Sequence, residues 1–288
     1  MSKIKAFVTV LLLIITLLSY AQNAENRTYN LITGSNTLGI GYSNILDPYL
    51  SPFEYKGQHL IYNTANQRFL TRKDTLLSRV HRFSFLLGNG KHPTNINSML
   101  FFGGNYDFGI HYHWQPSHDL TFLFGGSVDI GLGGKYIARN VNNPFSMDLY
   151  TNLNASLSVN YKFDVNFFNW FRQDFRVEYG ARTPLIGGMF VPRQGISYYE
   201  LFSLKNVADA FHFTSIHNQR TILHYLNLDI PTRLTTFRIG LQQYNTQYRA
   251  NDLVYHRNNF SVNLGWVVDF YVFEGSRNKP PKNFRSTY

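Results

Sequence analysis

The chain has 288 residues, of which 17% are aromatic and only 15% are charged, and it contains no cysteine. The lack of cysteine excludes disulfide bonds and zinc–thiolate sites. Its formal charge of +10 fits an exported protein that meets anionic lipid head groups or anionic solutes better than one that binds nucleic acid.

The first residues have the pattern of a secretory signal peptide. Lys3 and Lys5 precede an apolar run over 6–18, and Ser19-Tyr20-Ala21 follows with small residues where cleavage requires them. We predict a signal peptide over 1–21. Beyond it, no apolar run approaches the roughly 18 to 20 residues that a spanning helix needs. Any membrane crossing by the mature chain is therefore expected to use strands.

Apolar and polar residues then alternate, which is the pattern of β-strands with one apolar face. Three consecutive long segments, 98–114, 119–134 and 148–163, show the pattern most clearly. In order along the chain, the segments predicted as strands are 38–42, 57–71, 79–88, 98–114, 119–134, 148–163, 171–183, 219–230, 235–247 and 260–273.

The last of these segments shows why a membrane is involved. Every even position from Phe260 to Val272 is apolar, and most odd positions are polar. Thirteen residues at about 3.3 Å each extend roughly 43 Å, enough to cross a bilayer core of about 30 Å when tilted near 45°. A soluble β-sandwich is the alternative, but its strands would be shorter and polar on their outer face.

The connections between the predicted strands alternate between short and long. Short turns at 115–118, 164–170 and 231–234 alternate with longer connections at 135–147, 192–218 and 249–254, which is the plan of outer-membrane barrels. We predict an all-β fold, a transmembrane antiparallel up-and-down β-barrel over 22–273 with a tail at 274–288. A hairpin in 192–218, with strands near 196–204 and 210–216, would give about 12 strands, and without it the alternative is 10.

Five charged residues on one face of the segment 171–183 are the candidate functional residues. They would cost a few kcal/mol each if they faced lipid near the midplane, so they are predicted to line the lumen. They could form an anion-selective path or a self-neutralising ladder of ion pairs that fills a narrow barrel, and the second is favoured because acidic and basic residues alternate. The predicted lumen-lining residues are Arg172, Asp174, Arg176, Glu178 and Arg182.

A possible catalytic group lies at His212, Ser215 and His217. It is similar to the serine, histidine and asparagine of outer-membrane phospholipases, but those enzymes have the histidine two residues before the serine. Here Ser215 is three residues after His212 and so faces the other way in a regular strand. A nucleophile and its base must lie within hydrogen-bond distance, so no catalytic residue is predicted.

Metal and cofactor sites are also not predicted. His111 and His113 share a face with Asp107, but two histidines without a placed third ligand are more often packing and hydrogen-bonding groups. No phosphate-binding glycine loop or cofactor fingerprint occurs.

Asn263, Gly265, Val268 and Phe270 form a pattern that resembles the signal read in a final strand by the barrel-assembly machinery. The stretches 46–52 and 197–202 look like segments of uncharacterised outer-membrane β-barrel proteins of Bacteroidetes-type Gram-negative bacteria. This resemblance implies an outer-membrane location and carries no known activity.

Three functions remain open from the sequence. The first is a narrow channel or transporter, biased toward anions by the arginines of the charged face. The second is a non-conducting structural or interaction barrel whose loops at 43–55 and 192–218 dock a partner, and the third, disfavoured, is a lipid-acting enzyme. The expected partners are outer-membrane lipids, lipopolysaccharide and the assembly machinery, with no nucleic acid and with the solute unidentified.

Overall fold

The computed structural model describes residues 29–70, 76–138, 143–167, 171–204, 207–232 and 235–273. The predicted signal peptide and tail lie outside these residues. The strands, in chain order, are β1 (Tyr29–Leu46), β2 (Glu54–Phe69), β3 (Leu77–Lys91), β4 (Ser98–Trp114), β5 (Leu120–Tyr136), β6 (Phe145–Phe167), β7 (Phe171–Phe190), β8 (Phe211–Ser215), β9 (Gln219–Pro231), β10 (Thr236–Ala250) and β11 (Leu253–Phe273). One helix, α1 (Tyr198–Ser203), and a 3-10 turn (Val207–Ala210) connect β7 to β8.

The sheet closes on itself. Each strand is antiparallel to its neighbours, and β1 pairs with β11 along its whole length, from Tyr29 opposite Phe273 to Leu46 opposite His256. Both β8 and β9 pair with β7, at 186–190 and 176–182, so they form one barrel strand that is interrupted at 216–218. The fold is therefore a closed antiparallel barrel of ten strands, as the alternative count predicted.

The preferred count of about 12 strands is wrong, because 192–218 does not contain a hairpin. Its first half forms helix α1, which begins with a capping box. The Ser197 hydroxyl accepts from the Glu200 backbone N–H, and the Glu200 carboxylate accepts from the Ser197 backbone N–H. This arrangement satisfies N–H groups at the start of the helix. The second half forms β8, which continues into β9.

The strands are strongly tilted. Paired residues followed around the barrel from Thr37 reach β6 at Tyr150 in one direction and at Lys162, twelve residues away, in the other. A stagger of 12 residues at about 3.3 Å each, over ten strands about 4.8 Å apart, gives a tilt of about 40°. β6, with 23 residues, is therefore long enough to cross a bilayer core with residues to spare.

The two faces of the wall differ in chemistry. Outward-facing side chains form an apolar band in which large residues such as Leu38, Ile130 and Leu264 are about 60%, 55% and 60% exposed. Inward-facing side chains are mostly polar and buried, such as Asp107 and Asp229. A soluble sandwich has the opposite arrangement. Within the part of the chain that the structure describes, no helix is long and apolar enough to cross a membrane.

The barrel has two distinct ends. We call the end where β1 begins and β11 finishes the terminal end, and the opposite end, which holds 47–53, 92–97 and 191–210, the loop end. At the loop end, a cluster of buried apolar side chains fills the interior. Its members are Ile45, Tyr49, Leu50, Tyr55, Ile61, Leu86, Met99, Phe101, Ile137, Met189, Val191, Ala250, Leu253 and Tyr255. We call this cluster the apolar plug.

Candidate functional site in the barrel lumen

Charged side chains from β7, β9 and β10 meet inside the terminal half of the barrel. Arg238 donates two hydrogen bonds to Asp229, of 2.7 and 2.9 Å, and its guanidinium lies 3.4 Å from Glu178. Arg176 donates at 3.3 Å to Asp229 Oδ2, the oxygen that also accepts one of the Arg238 bonds. Two arginines and two carboxylates thus form one neutral group, the terminal cluster. A two-bond contact between arginine and carboxylate is among the strongest charged pairings in proteins.

The Glu178 carboxylate is also held by neutral donors. Tyr225 donates its phenol to one carboxylate oxygen at 2.9 Å, and Asn227 donates its amide to the other at 3.1 Å. Both oxygens of the Glu178 carboxylate therefore accept hydrogen bonds from side chains of β9, and these bonds fix the position of the carboxylate.

A second group, the central cluster, crosses the barrel interior. Asp107 of β4 accepts from Arg82 of β3 at 2.8 Å and lies 2.5 Å from Arg182 of β7. Since β5 and β6 lie between β4 and β7 in the wall, the contact between Asp107 and Arg182 is a bridge through the lumen. Asp129, which accepts from Asn152 at 3.0 Å, supplies a second negative charge close to Arg182.

A neutral bridge crosses the interior at another point. Asn63 of β2 donates to Gln242 of β10 at 3.2 Å, although β1 and β11 separate these two strands in the wall. Like the central cluster, this bond joins two strands that are three apart in the wall and narrows any path along the barrel axis.

The third group, the loop-end cluster, lies just below the mouth at the loop end. Lys135, whose side chain is fully buried, lies 3.2 Å from Asp47 and contacts Asp148. Its ammonium group also lies 4.7 Å from the centre of the Tyr255 ring. Arg257 of β11, which lies across the lumen from β5 and β6, adds a positive charge that interacts with Asp148. The cluster therefore carries two cations and two anions, and it ties the start of the loop 47–53 to β5 and β6.

The apolar plug covers these polar groups. Tyr49 and Leu50 of the loop 47–53 are 6% and 7% exposed and pack among the inward-facing plug residues of the wall. Tyr49 donates its phenol to the Ile196 carbonyl at 2.9 Å, which joins this loop to the segment before α1. Burial raises the pKa of both Tyr49 and Tyr198, the latter to about 12, so both phenols keep their protons.

Two adjoining cavities remain between the plug and the terminal cluster. Each has a volume of about 140 Å³, and both are lined by Arg182, Asn105 and Gln242. The lumen of the described residues therefore contains two small cavities, lined by polar and apolar side chains, beside three clusters that each carry no net charge and below a mouth filled by apolar side chains.

The predicted lumen-lining residues do not all take part. Arg176, Glu178 and Arg182 belong to the terminal and central clusters. Asp174 is exposed and lies opposite Asp164 near the terminal end. The side chain of Arg172 lies outside the described residues. The alternation along β7 indicates that these residues share one face of the strand. It does not indicate their partners on other strands, which the structure shows to be Asp107, Tyr225, Asn227, Asp229 and Arg238.

The histidines considered as metal ligands make hydrogen bonds instead. His111 lies 2.5 Å from the Ser156 hydroxyl, and His113 lies 2.7 Å from the Ser78 hydroxyl. Asp107 is engaged by arginines. Among the described residues, no group of three side chains is arranged to hold a metal ion.

The serine considered as a nucleophile lies where β8 gives way to β9. The His217 ring lies 2.5 Å from the Ser215 hydroxyl. The two residues are two apart, which places them on one face of a regular strand as well, in the reverse of the phospholipase order. However, the backbone N–H of His217 points to the same hydroxyl at 3.5 Å, and Asn218 binds the Ser215 backbone N–H instead of the histidine. Within the described residues no further hydrogen bond orients His217, so the third member that a catalytic triad needs is not in place.

The fold and the outward apolar band define the class: a closed ten-stranded antiparallel β-barrel of the membrane-spanning type. The chain belongs to the family described as Protein of unknown function (DUF3316), which matches residues 7–277. No curated protein matches it.

Several solved barrels are similar in outline. The outer membrane protease OmpT from Escherichia coli is 8% identical with a TM-score of 0.44, covering 87% of this chain and 99% of its own. The translocator domain of the autotransporter NalP from Neisseria meningitidis is 10% identical with a TM-score of 0.37, covering 92% and 95%. The transport unit of the autotransporter AIDA-I from Escherichia coli is 8% identical with a TM-score of 0.39, covering 87% and 92%. Likenesses at this level say nothing about what this chain binds or does.

Proposed function

We propose that this chain is an outer-membrane β-barrel that is closed at rest and acts through its loop end rather than as a steadily open channel. The outer-membrane location, and an origin in a Bacteroidetes-type bacterium, follow the resemblance seen in the sequence. The outward apolar band supports a membrane location, because an uncovered surface of this extent is not tolerated in water. With the terminal end at the periplasmic side, the loop end faces the outside of the cell.

One observation carries the closed state: the apolar plug fills the loop end. A water-filled pore requires a continuous polar path, and the plug replaces that path with packed side chains, including Tyr49 and Leu50 from the folded-in loop. Of the arginines that would select anions, Arg176 is already paired with Asp229 and Arg182 with Asp107. Their positive charge is therefore not available to a passing solute, which favours the self-neutralising ladder over the anion path.

The outer rim of the loop end is suited to anionic lipid. Lys56, Lys91, Arg220 and Arg249 are exposed on outward-facing positions near that end. Cations at a membrane interface are attracted by anionic head groups. We propose that these side chains contact the phosphates of lipopolysaccharide or other anionic outer-leaflet lipids.

Single-channel recording on the refolded chain in a planar bilayer tests the closed state. We expect no steady conductance from the wild type and a measurable one from Tyr49→Gly/Leu50→Gly, which removes the loop's contribution to the plug. The matched control is Phe53→Gly in the same loop, since Phe53 is 51% exposed and lies outside the plug. Steady conductance from a correctly folded wild type would refute the proposal.

The narrow channel remains the second candidate, because the two adjoining cavities would extend a path if the plug moved. In that case ions that cross the Tyr49→Gly/Leu50→Gly variant pass the charged clusters. Recording this variant across a salt gradient, with and without the additional changes Arg172→Ala/Arg176→Ala, measures the effect of the two arginines on ion selectivity. We expect little anion preference in either, because Arg176 is paired with Asp229.

A further inference from the structure

The segment that leaves β7 folds over the outside of the barrel wall. Phe190 points away from the lumen and forms a buried cluster with Leu201 of α1 and Ala210, against which Met147 and Leu149 of β6 pack. The Met147 backbone N–H donates to the Tyr198 phenol at 2.7 Å, which fixes the helix to the wall. Helix α1 therefore lies at the loop end against outward-facing residues of β6 and β7, while its Tyr198 also packs against the apolar plug.

The other side of this segment is apolar and uncovered. Tyr199, with an exposed fraction of 80%, and Leu204, with 67%, face away from the wall. β8 and the residue that follows it continue the same surface. We call this surface the flank patch, and its members are Tyr199, Phe202, Leu204, Phe211, Phe213 and Ile216.

The flank patch adjoins the outward apolar band where β8 pairs with β7. Ser215 of β8 pairs with Ile186 of β7, and Leu185 and Ile186 are exposed members of the band at 40% and 46%. β4 and β5 also keep large apolar residues on their outer face near the loop end, including Leu100 and Tyr136.

The opposite flank is different at the same end of the barrel. Near the loop end of β2, β3, β10 and β11, the outward positions are largely polar. Representative exposed residues are Lys56, Gln58, Asn89, Lys91, Gln247, Arg249 and Asn258. The apolar surface thus extends closer to the loop end on the β4–β8 flank than on the β9–β3 flank.

We infer that the flank patch is immersed in the acyl chains of the outer leaflet, so that α1 is an in-plane membrane anchor on one side of the barrel. This inference rests on the proposed outer-membrane location. The occupant is lipid because the patch continues a lipid-facing surface, and because an apolar helix face beside a polar edge settles at a membrane interface. Exposed Glu200 and half-buried Ser197 of the capping box supply that polar edge.

The absence of cysteine permits a direct test with single-cysteine variants of the full mature chain, refolded into phosphatidylcholine vesicles. Phe202→Cys and Leu204→Cys report on the flank patch, Leu264→Cys on the apolar band, and Asn89→Cys on the polar flank. Each carries a nitroxide label, and its accessibility to oxygen and to a water-soluble nickel complex is measured. We expect the patch labels to match Leu264→Cys, with high oxygen and low nickel accessibility, and Asn89→Cys to show the reverse.

The outcomes separate this inference from the proposed function. A nickel-accessible label at Leu264→Cys would overturn the membrane barrel itself. A lipid-exposed Leu264→Cys with nickel-accessible labels at both patch positions would overturn only the anchor. Patch labels that are immobilised and closed to both reagents, with dipolar broadening between labels, would mean that a second copy covers the patch and would also overturn it. Two patch positions are used so that one misfolded variant does not decide the result.

Discussion

Replacing Lys135 with methionine tests whether the loop-end cluster holds the plug. The Lys135 side chain is fully buried, and its partners Asp47 and Asp148 are only 6% and 19% exposed. At the 3.2 Å that separates Lys135 from Asp47, an effective dielectric of about 20 gives an attraction of roughly 5 kcal/mol. Removing one member of a buried ion pair costs about 3–5 kcal/mol, because the remaining charge stays desolvated. We expect Lys135→Met to lower the free energy of unfolding by about 3–5 kcal/mol.

The assay is urea unfolding of the refolded barrel in vesicles, followed by tryptophan fluorescence. Lys91→Met is the matched control, since Lys91 is exposed at the end of β3 and an exposed substitution changes stability by less than about 0.5 kcal/mol. The double variant Lys135→Met/Asp148→Asn should recover part of the loss, because the cluster then keeps one cation, Arg257, and one anion, Asp47, and is neutral again. A loss below about 1 kcal/mol for Lys135→Met would refute the reasoning and indicate that water solvates the cluster.

Three further predictions concern the wall and the segment around α1. Gly180→Ala should cost about 1–3 kcal/mol, since its new Cβ would lie 2.3 Å from the Tyr225 ring. Ser197→Ala should weaken the start of α1 by about 1 kcal/mol, seen as faster hydrogen exchange over 198–203. Hydrogen bonds from the Ser197 backbone and hydroxyl lower the pKa of Glu200, so the cap's contribution should be lost as pH falls through that lowered pKa. Ser215→Ala should leave the rate of phospholipid hydrolysis by the refolded barrel unchanged.

Each of these has a control in the chain. Gly103→Ala should be nearly neutral, because its Cβ would meet nothing closer than 3.6 Å, and equal losses for both glycines would remove the argument from ring packing. Glu200→Gln should abolish the pH dependence seen at the cap, and a cap that keeps it would assign the titration to another group. Hydrolysis that disappears with Ser215→Ala but persists with Thr183→Ala would restore the enzyme hypothesis.

The wall of the barrel could be predicted closely where alternation is strict. Segment 98–114 coincides with β4, and 219–230 differs from β9 by one residue. The first strand was predicted only over 38–42, whereas β1 covers Tyr29–Leu46. Its earlier residues carry few large apolar side chains, and pairing with the long β11 supplies the missing hydrogen bonds.

The segment 192–218 shows where alternation misleads. Apolar residues at Ile196, Tyr198 and Leu201 fit a strand or a short helix equally well. The capping box at Ser197 and Glu200 is a readable helix signal, and it outweighs the weak alternation because it satisfies backbone N–H groups locally.

The ion-pair partners could not be predicted in the same way. Alternation places Arg182 on the inward face of β7, but its partner Asp107 lies three strands away around the wall. The stagger of the barrel decides which side chains meet across the lumen. This stagger depends on the registers of all ten strand pairs together. The folded-in loop with Tyr49 and Leu50 is hidden for the same reason: the sequence indicates a loop, and only the closed barrel provides the apolar mouth that buries it.

The contacts in the lumen and at the loop end indicate a barrel whose strands are held in fixed register, while the conformation of its loop end can change. Each charged cluster links non-neighbouring or successive strands, so sliding of one strand past another would separate buried charges at Asp107, Asp229 or Lys135. The plug, by contrast, is held partly by one short loop and by hydrogen bonds to the segment before α1. A ligand or lipid that moved α1 would act on Ile196, Tyr49 and the loop-end cluster before it disturbed the central or terminal cluster. Any opening of this barrel should therefore begin at the loop end and leave the ion pairs of the central and terminal clusters intact.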